Sequence, residues 1–217
     1  MADAAKPKVV YFNIQGRAQS FRYLLAHKGV EYEDVRITFE EWGAAKSDGT
    51  YTAPGGQLPA YIDADGTKRS QQLAILNYLC AQHNVVPATA DEEYELYWYF
   101  ETVKDHDNKA NFGAIFTEGA PEDIINGFIN DAKALYDKME ERWADGRVHA
   151  AGANITAADY YLLSQYTQAI INPNLRNPII SQTLGPYAAA KPNCMRVINS
   201  IKAELQSTVD ALPNSWI

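Results

Sequence analysis

The sequence predicts a mixed α/β unit over residues 1–83, a linker over 84–90 and an all-α domain over 91–217. Two observations predict this. Up to His83, short strand-like apolar runs alternate with segments whose apolar residues recur at helical spacing. From Asp91 onward only the helical spacing persists, and Asn84 to Ala90, with its proline, separates the two regimes.

Lys8 to Phe12 reads as a buried strand that Gly16 breaks, and Ala18 to Lys28 places Phe21, Leu24 and Leu25 on one helical face. Glu31 to Ile37 is a second strand carrying Tyr32, Val35 and Ile37, followed by a short acidic helix from Phe39 to Lys46. Ser47 to Gly56 is rich in Gly, Pro, Ser and Thr and reads as a loop. Leu58 to Asp63 and Thr67 to Arg69 flank Ala64-Asp65-Gly66, an Asp-Gly hairpin signal. Gln71 to His83 closes the unit as a helix with Leu73, Leu76, Leu79 and Cys80 inward.

In the second region a long helix places Tyr94, Trp98, Glu101, Asp105, Asn108 and Phe112 on one face. A second starts at Pro121 and runs through Ile124, Ile125, Phe128, Ala132, Leu135 and Met139. A third starts at Thr156, and another follows Pro192 with Val197, Ile201 and Leu205. Thr156-x-x-Asp159 is a reciprocal cap, with Ile155 and Tyr160 placed as a hydrophobic staple. Asn154-Ile155-Thr156 also matches a glycosylation sequon, but the cap is the reading preferred in a cytosolic chain.

Composition excludes several function classes. The chain has 217 residues, 47% of them apolar, and no low-complexity segment, so it is long and apolar enough to bury a core. With 19 basic and 27 acidic residues the net charge is −8, and no Lys/Arg cluster offers a footprint for nucleic acid or an anionic membrane. Cys80 and Cys194 read as reduced core thiols, and the four histidines are too scattered for a zinc site, so no metal is expected. Met1 to Lys8 is too charged, and the following run too short, for a signal peptide, and no stretch approaches the ~20 apolar residues of a membrane span. The expected location is the cytoplasm.

Two places could hold chemistry. In Tyr11-Phe12-Asn13-Ile14-Gln15-Gly16-Arg17, a phenol at a strand's carboxyl end meets an arginine and the amides of a helix start, a place that suits an anion. By spacing alone, a core tyrosine and a solvated arginine would be the simpler assignment. In Gly56-Gln57-Leu58-Pro59 a proline enters a strand, which requires an edge or a cis bond, and Arg69-Ser70-Gln71-Gln72 precedes an apolar helix whose first amides could hold a carboxylate.

Tyr11-Phe12 with Gly16-Arg17-Ala18, Trp42 with Lys46, Gly56-Gln57-Leu58-Pro59, Gln71-Gln72-Leu73-Ala74-Ile75 and the Thr156/Asp159 cap, in this order, resemble a cytosolic glutathione transferase of the tyrosine type. Within that family the sequence most resembles the sigma class and its alpha, mu and pi relatives, over essentially the whole chain. The resemblance implies a thioredoxin-like domain that binds glutathione as co-substrate and a helical domain that supplies the second-substrate pocket and dimer contacts. Tyr11 would donate to the glutathione sulfur with Arg17 adding positive field. Trp42, Lys46 and Gln57 would take the glycyl carboxylate, and Leu58, held by a cis Pro59, the cysteinyl backbone. Gln71, Gln72 and the adjacent amides would hold the γ-glutamyl end, and Asp105 would reach the γ-glutamyl amine of a neighbouring subunit in a homodimer. Phe12, Asn13, Phe112 and Tyr161 are candidates for the second-substrate pocket.

The implied activity is detoxifying conjugation of hydrophobic electrophiles, with peroxidase or isomerase side activity. Two departures from the family stand out. Gln72 replaces the usual serine, and Gly55 occupies the place of the aromatic key that alpha, mu and pi relatives insert into the other subunit. The alternative function is a non-catalytic ligand carrier or structural protein on the same fold. A thiol-disulfide oxidoreductase is disfavoured, because no cysteine lies near Tyr11.

Overall fold

The structure, a computed structural model, describes residues 5–53 and 56–211. Gly55, where the sequence lacks the aromatic key, lies outside these residues. The chain divides into two compact units: residues up to Val85 together with those from Ser207 form the first, and Val86–Gln206 form the second.

In the first unit β1 (Lys8–Phe12) leads through a single 3-10 turn (Gly16–Ala18) into α1 (Gln19–His27), β2 (Glu33–Ile37) and α2 (Phe39–Ala45). Then come β3 (Ala60–Ile62), β4 (Lys68–Ser70) and α3 (Gln72–Gln82). The sheet order is β2-β1-β3-β4, with β1 parallel to β2 and antiparallel to β3. Val9 and Val10 are fully buried, which explains why β1 reads as a continuous apolar run rather than an alternating one. Parallel pairing requires a crossover between β1 and β2, and α1 supplies it, burying Phe21, Leu24 and Leu25. The Asp65-Gly66 turn forms as its sequence predicts: Gly66 takes φ 90°, and Asp65 Oδ1 accepts the Thr67 amide at 2.8 Å. This is the thioredoxin-like arrangement. The second strand begins at Glu33, two residues later than expected from the sequence, with the Glu33 amide bonded to the Pro7 carbonyl.

The second unit is helical among the described residues: α4 (Ala90–Lys109), α5 (Gly113–Phe116), α6 (Glu122–Arg142), α7 (Ala157–Gln165), α8 (Ile179–Ala189) and, as far as Gln206, α9 (Pro192–Ala211). Leu96, Tyr99, Phe100 and Val103 form the buried face of α4. Tyr94, Glu101 and Asp105, placed on one face from the sequence, are exposed, because the Leu96/Tyr99/Phe100/Val103 stripe buries the more continuous apolar surface. Phe112 is not on that helix. Ala110 turns extended, and Phe112 caps α5, a helix that the sequence reading omitted along with α8. Proline 186 sits within the last turn of α8, where its missing amide costs the ladder one bond without ending the helix earlier.

Two buried carboxylates join loops to helices here. Glu92 accepts the amides of Ala88 at 2.7 Å and Ala153 at 3.0 Å, and the Asn154 side-chain nitrogen at 3.1 Å. Asn154 of the sequon is thereby engaged within the fold. A Cβ at Gly152 would stand 2.8 Å from the Glu92 side chain, so this close approach admits only glycine. Asp159, fully buried, accepts the Thr156 amide at 2.7 Å and the Ala150 amide at 2.8 Å, so the cap read from the sequence also anchors the preceding loop.

His149 lies between Asp159 and the last helix, its Nδ1 at 3.5 Å from Asp159 Oδ1 and its Nε2 at 3.1 Å from Glu204 Oε1. The adjacent Asp159 carboxylate raises the imidazole pKa above 6.5 against the cost of burial, with Glu204 and Glu92 adding to it. Because the folded value exceeds the unfolded one, the stabilisation is complete below about pH 6.5 and is lost as pH rises through the raised folded value. The stability gap between wild type and His149→Gln, from urea unfolding, is therefore expected to be widest in mild acid and to narrow with rising pH. A gap independent of pH would show that the imidazolium contributes nothing.

Candidate active site

Strand register brings three of the sequence-derived residues together. Val10 pairs with Ala60 and Ala60 with Ser70, so the next positions outward, Tyr11, Pro59 and Gln71, stand side by side at one end of three adjacent strands. The peptide joining Leu58 to Pro59 is cis. At the same end Phe12 pairs with Ile37, after which Thr38 caps α2 and starts the helix that carries Trp42.

Tyr11 is 8% exposed, and its ring lies against Gly16, where a Cβ would come within 2.5 Å of the ring and 3.0 Å of the hydroxyl. Gly16 also has φ 45°, so both space and backbone conformation demand glycine. Burial raises the phenol pKa above 10, opposed by the Arg17 backbone hydrogen bond and by the charges of Arg17 and Arg22. The hydroxyl is therefore protonated at neutral pH and placed to donate a hydrogen bond rather than to abstract a proton. Arg17 itself is exposed, with its side chain in no ion pair among the described residues.

A residue that sequence reasoning missed holds this elbow. Arg22 is 1% exposed, and its Nη1 donates to the carbonyls of Ile14 at 3.0 Å and Gln15 at 3.1 Å. Its Nε donates to Asp34 Oδ1 at 3.1 Å, while Arg36 takes the other Asp34 oxygen at 2.8 Å and reaches Asn13 Oδ1 at 3.3 Å. The loop from Asn13 to Gln15 is thus fastened to β2 from below. The available signal was a single charge amid the apolar residues of α1, at a position next to Phe21.

The remaining first-unit candidates differ in how far packing constrains them. Trp42 and Leu58 pack with Phe12 against Val10, Ile37 and Ala60, and Phe12 stacks on Phe39 at 4.2 Å. Lys46 and Gln57 are exposed. Gln71 takes φ 77°, a left-handed conformation that a side chain disfavours and that is characteristic of functional sites. Beside it, Gln72 buries its side-chain nitrogen with no hydrogen-bond partner. An unsatisfied buried donor is costly unless a ligand supplies the acceptor.

Asp105, Phe112 and Tyr161 belong to the second unit. Asp105 is exposed on α4, and Phe112 packs edge-on to Phe128 at 5.9 Å. Tyr161 is 4% exposed and donates its hydroxyl to Asp107 Oδ2 at 3.0 Å.

Residues 7–81 match the sequence profile of the glutathione S-transferase N-terminal domain. The chain is 31% identical over 206 residues to mouse glutathione S-transferase A4, covering 94% of this chain and 89% of that one. It is 33% identical over 153 residues to chicken hematopoietic prostaglandin D synthase, covering 64% and 73%. A glutathione S-transferase of Ascaris lumbricoides has a similar fold, with TM-score 0.76 and 23% identity over 98% of this chain and all of that one, 100%. A buried phenol at the end of β1, a thioredoxin-like sheet and similarity across both units agree, and the chain belongs to the glutathione transferase family.

Proposed function

We propose that this transferase ionises the thiol of glutathione against the Tyr11 hydroxyl and directs the thiolate at hydrophobic electrophiles. The observation that carries the reading is the buried, protonated Tyr11 phenol held on Gly16 beside the Arg17 amide. A free thiol of pKa about 8.5 is only about 3% ionised at pH 7, and lowering it by about two units raises that to about 76%. Such a shift requires roughly 2.7 kcal/mol of preferential thiolate stabilisation, within reach of a hydrogen bond to an anion together with the field of Arg17.

The rest of the glutathione is assigned by the resemblance and supported by geometry. Leu58, next to the cis peptide, presents backbone groups to the cysteinyl part in the manner of an added strand. Gln72 supplies its unpartnered nitrogen to the γ-glutamyl carboxylate in place of the family's hydroxyl, next to the strained Gln71. Trp42, Lys46 and Gln57 take the glycyl end. Asp105, on the outward face of α4, reaches a neighbouring subunit's γ-glutamyl amine in a homodimer of the sigma type, and the cytoplasm is its place of action. Phe12, Asn13, Phe112 and Tyr161 serve the second substrate. The domains follow the division at residues 1–83, 84–90 and 91–217. Similarity to a relative named prostaglandin D synthase favours isomerisation as a second reading.

Replacing Tyr11→Phe is expected to return the bound thiol pKa, read by ultraviolet difference titration, toward about 8.5. It should lower kcat by about a hundredfold while leaving the glutathione Kd within a few-fold, and unchanged turnover would remove Tyr11 from the mechanism. Gly16→Ala pushes the ring off its seat, so it should reproduce the thiol pKa of Tyr11→Phe and cost about 1–3 kcal/mol in urea unfolding. Gln72→Ala should weaken glutathione binding by about tenfold or more in calorimetry, because a hydrogen bond to a carboxylate is lost. Equal affinity would leave the Gln72 nitrogen without a function.

A further inference from the structure

A buried histidine of the second unit faces carboxylates from three helices. His149, on the segment between α6 and α7, has Asp159 of α7 at 3.5 Å from Nδ1 and Glu204 of α9 at 3.1 Å from Nε2. Glu92 of α4 adds a third negative charge nearby. The guanidinium groups of the surrounding segments are engaged elsewhere: Arg147 pairs with Glu95 and Asp145, and Arg196 donates to the carbonyls of Arg147 and Trp143.

The two carboxylates that flank the ring differ in freedom. Asp159 is fully buried and accepts from the Ala150 amide and from the amide and hydroxyl of Thr156. The His149 backbone is fixed as well, by paired hydrogen bonds with Gly152 at 3.1 and 3.2 Å. Glu204 is the movable end, because its side chain is 40% exposed and can exchange the imidazole for water at small cost. It precedes Leu205, a fully buried side chain of α9, after which Gln206–Asp210 are exposed or half-buried.

Ring chemistry makes this arrangement depend on one proton. An imidazolium donates from both nitrogens, whereas the neutral ring donates from one and presents a lone pair at the other. Only the cation can therefore face both carboxylates favourably. Nδ1 is buried with no hydrogen-bond partner, beside a carboxylate that cannot leave, so it holds the last proton more firmly than the nitrogen turned to the surface. In the neutral ring the Nε2 lone pair then faces Glu204 and repels it. We propose that His149 is a proton-operated latch on α9: its imidazolium ties Glu204 to the buried Asp159, and loss of one proton releases Glu204 and loosens the C-terminal turns of the helix. The latch is closed below about pH 6.5 and opens as pH rises through the raised folded value. It is independent of the transferase reading, since none of its groups belongs to the Tyr11 elbow.

The test follows amide hydrogen exchange by mass spectrometry in the peptide spanning residues 198–211 of the full chain, between about pH 6 and about pH 9, with each rate divided by the intrinsic rate at that pH. Wild-type protection should fall by about fivefold across this range, the scale of a partly exposed ion pair, with its midpoint at the imidazole pKa read by proton NMR. His149→Gln and Glu204→Gln should each abolish the step, and the second variant, at an exposed side chain, decides the matter if the first does not fold. Constant protection in the wild type would overturn the proposal. So would a step that survives either substitution: survival in Glu204→Gln would show that the ring acts through Asp159 alone, and survival in His149→Gln would assign the titration to another group.

Discussion

The buried guanidinium of Arg22 is the contact on which the candidate site depends. At 1% exposure it would be strongly unfavourable without Asp34, whose charge and hydrogen bonds offset the desolvation that lowers its pKa. Its Nη1 donates to the carbonyls of Ile14 and Gln15, two backbone acceptors at the elbow after β1 that form no part of the sheet. The elbow is therefore rigid, and its rigidity fixes Gly16 under the Tyr11 ring and the Arg17 amide against the phenol oxygen. Asp34 extends the tie through Arg36 to Asn13, so one charge network on β2 and α1 determines where the first loop of the site runs.

Burial does two things at once for Tyr11. It raises the phenol pKa, which keeps the hydroxyl proton available for donation, and it removes water that would compete for that bond. The neighbouring positive charges work against the first effect, but desolvation is the largest influence on the tyrosine, so the hydroxyl remains a donor, as the proposed mechanism requires.

The helical unit uses the same device with opposite sign. Glu92 and Asp159 are buried acids whose acceptor capacity is taken up by amides of loops that would otherwise be unsatisfied. They fasten the ends of α4 and α7 to the 147–154 segment, which lets apolar packing of α4, α6, α7 and α9 proceed around fixed helix ends.

Local signals were the legible ones. The Asp65-Gly66 turn, the continuous apolar run of β1, the Thr156/Asp159 cap and the proline at Pro121 each act within a few residues, so their chemistry is written in the order of the chain. The same kind of cap at Thr38 and Glu41 was equally available and fixes the start of α2. α5 and α8 were missed because one is a single turn and the other contains a glycine-proline step, both poor helix signals. Which of the two aromatic-rich stripes on α4 is buried was not legible in the sequence, because only their packing partners decide between them.

The sequence by itself determined the fold class and the two regimes of periodicity, since these rest on spacing and on local hydrogen bonding, whereas the candidate set around Tyr11 came from the resemblance to a family. The tertiary structure alone decided that Tyr11, Pro59 and Gln71 form one row, because strand register is a property of pairing between distant segments. It also decided that Arg22 lies beneath the elbow and that the buried Gln72 side-chain nitrogen lacks a partner. Burial is a property of three-dimensional packing, and it is burial that makes the partners of an otherwise ordinary arginine or glutamine matter.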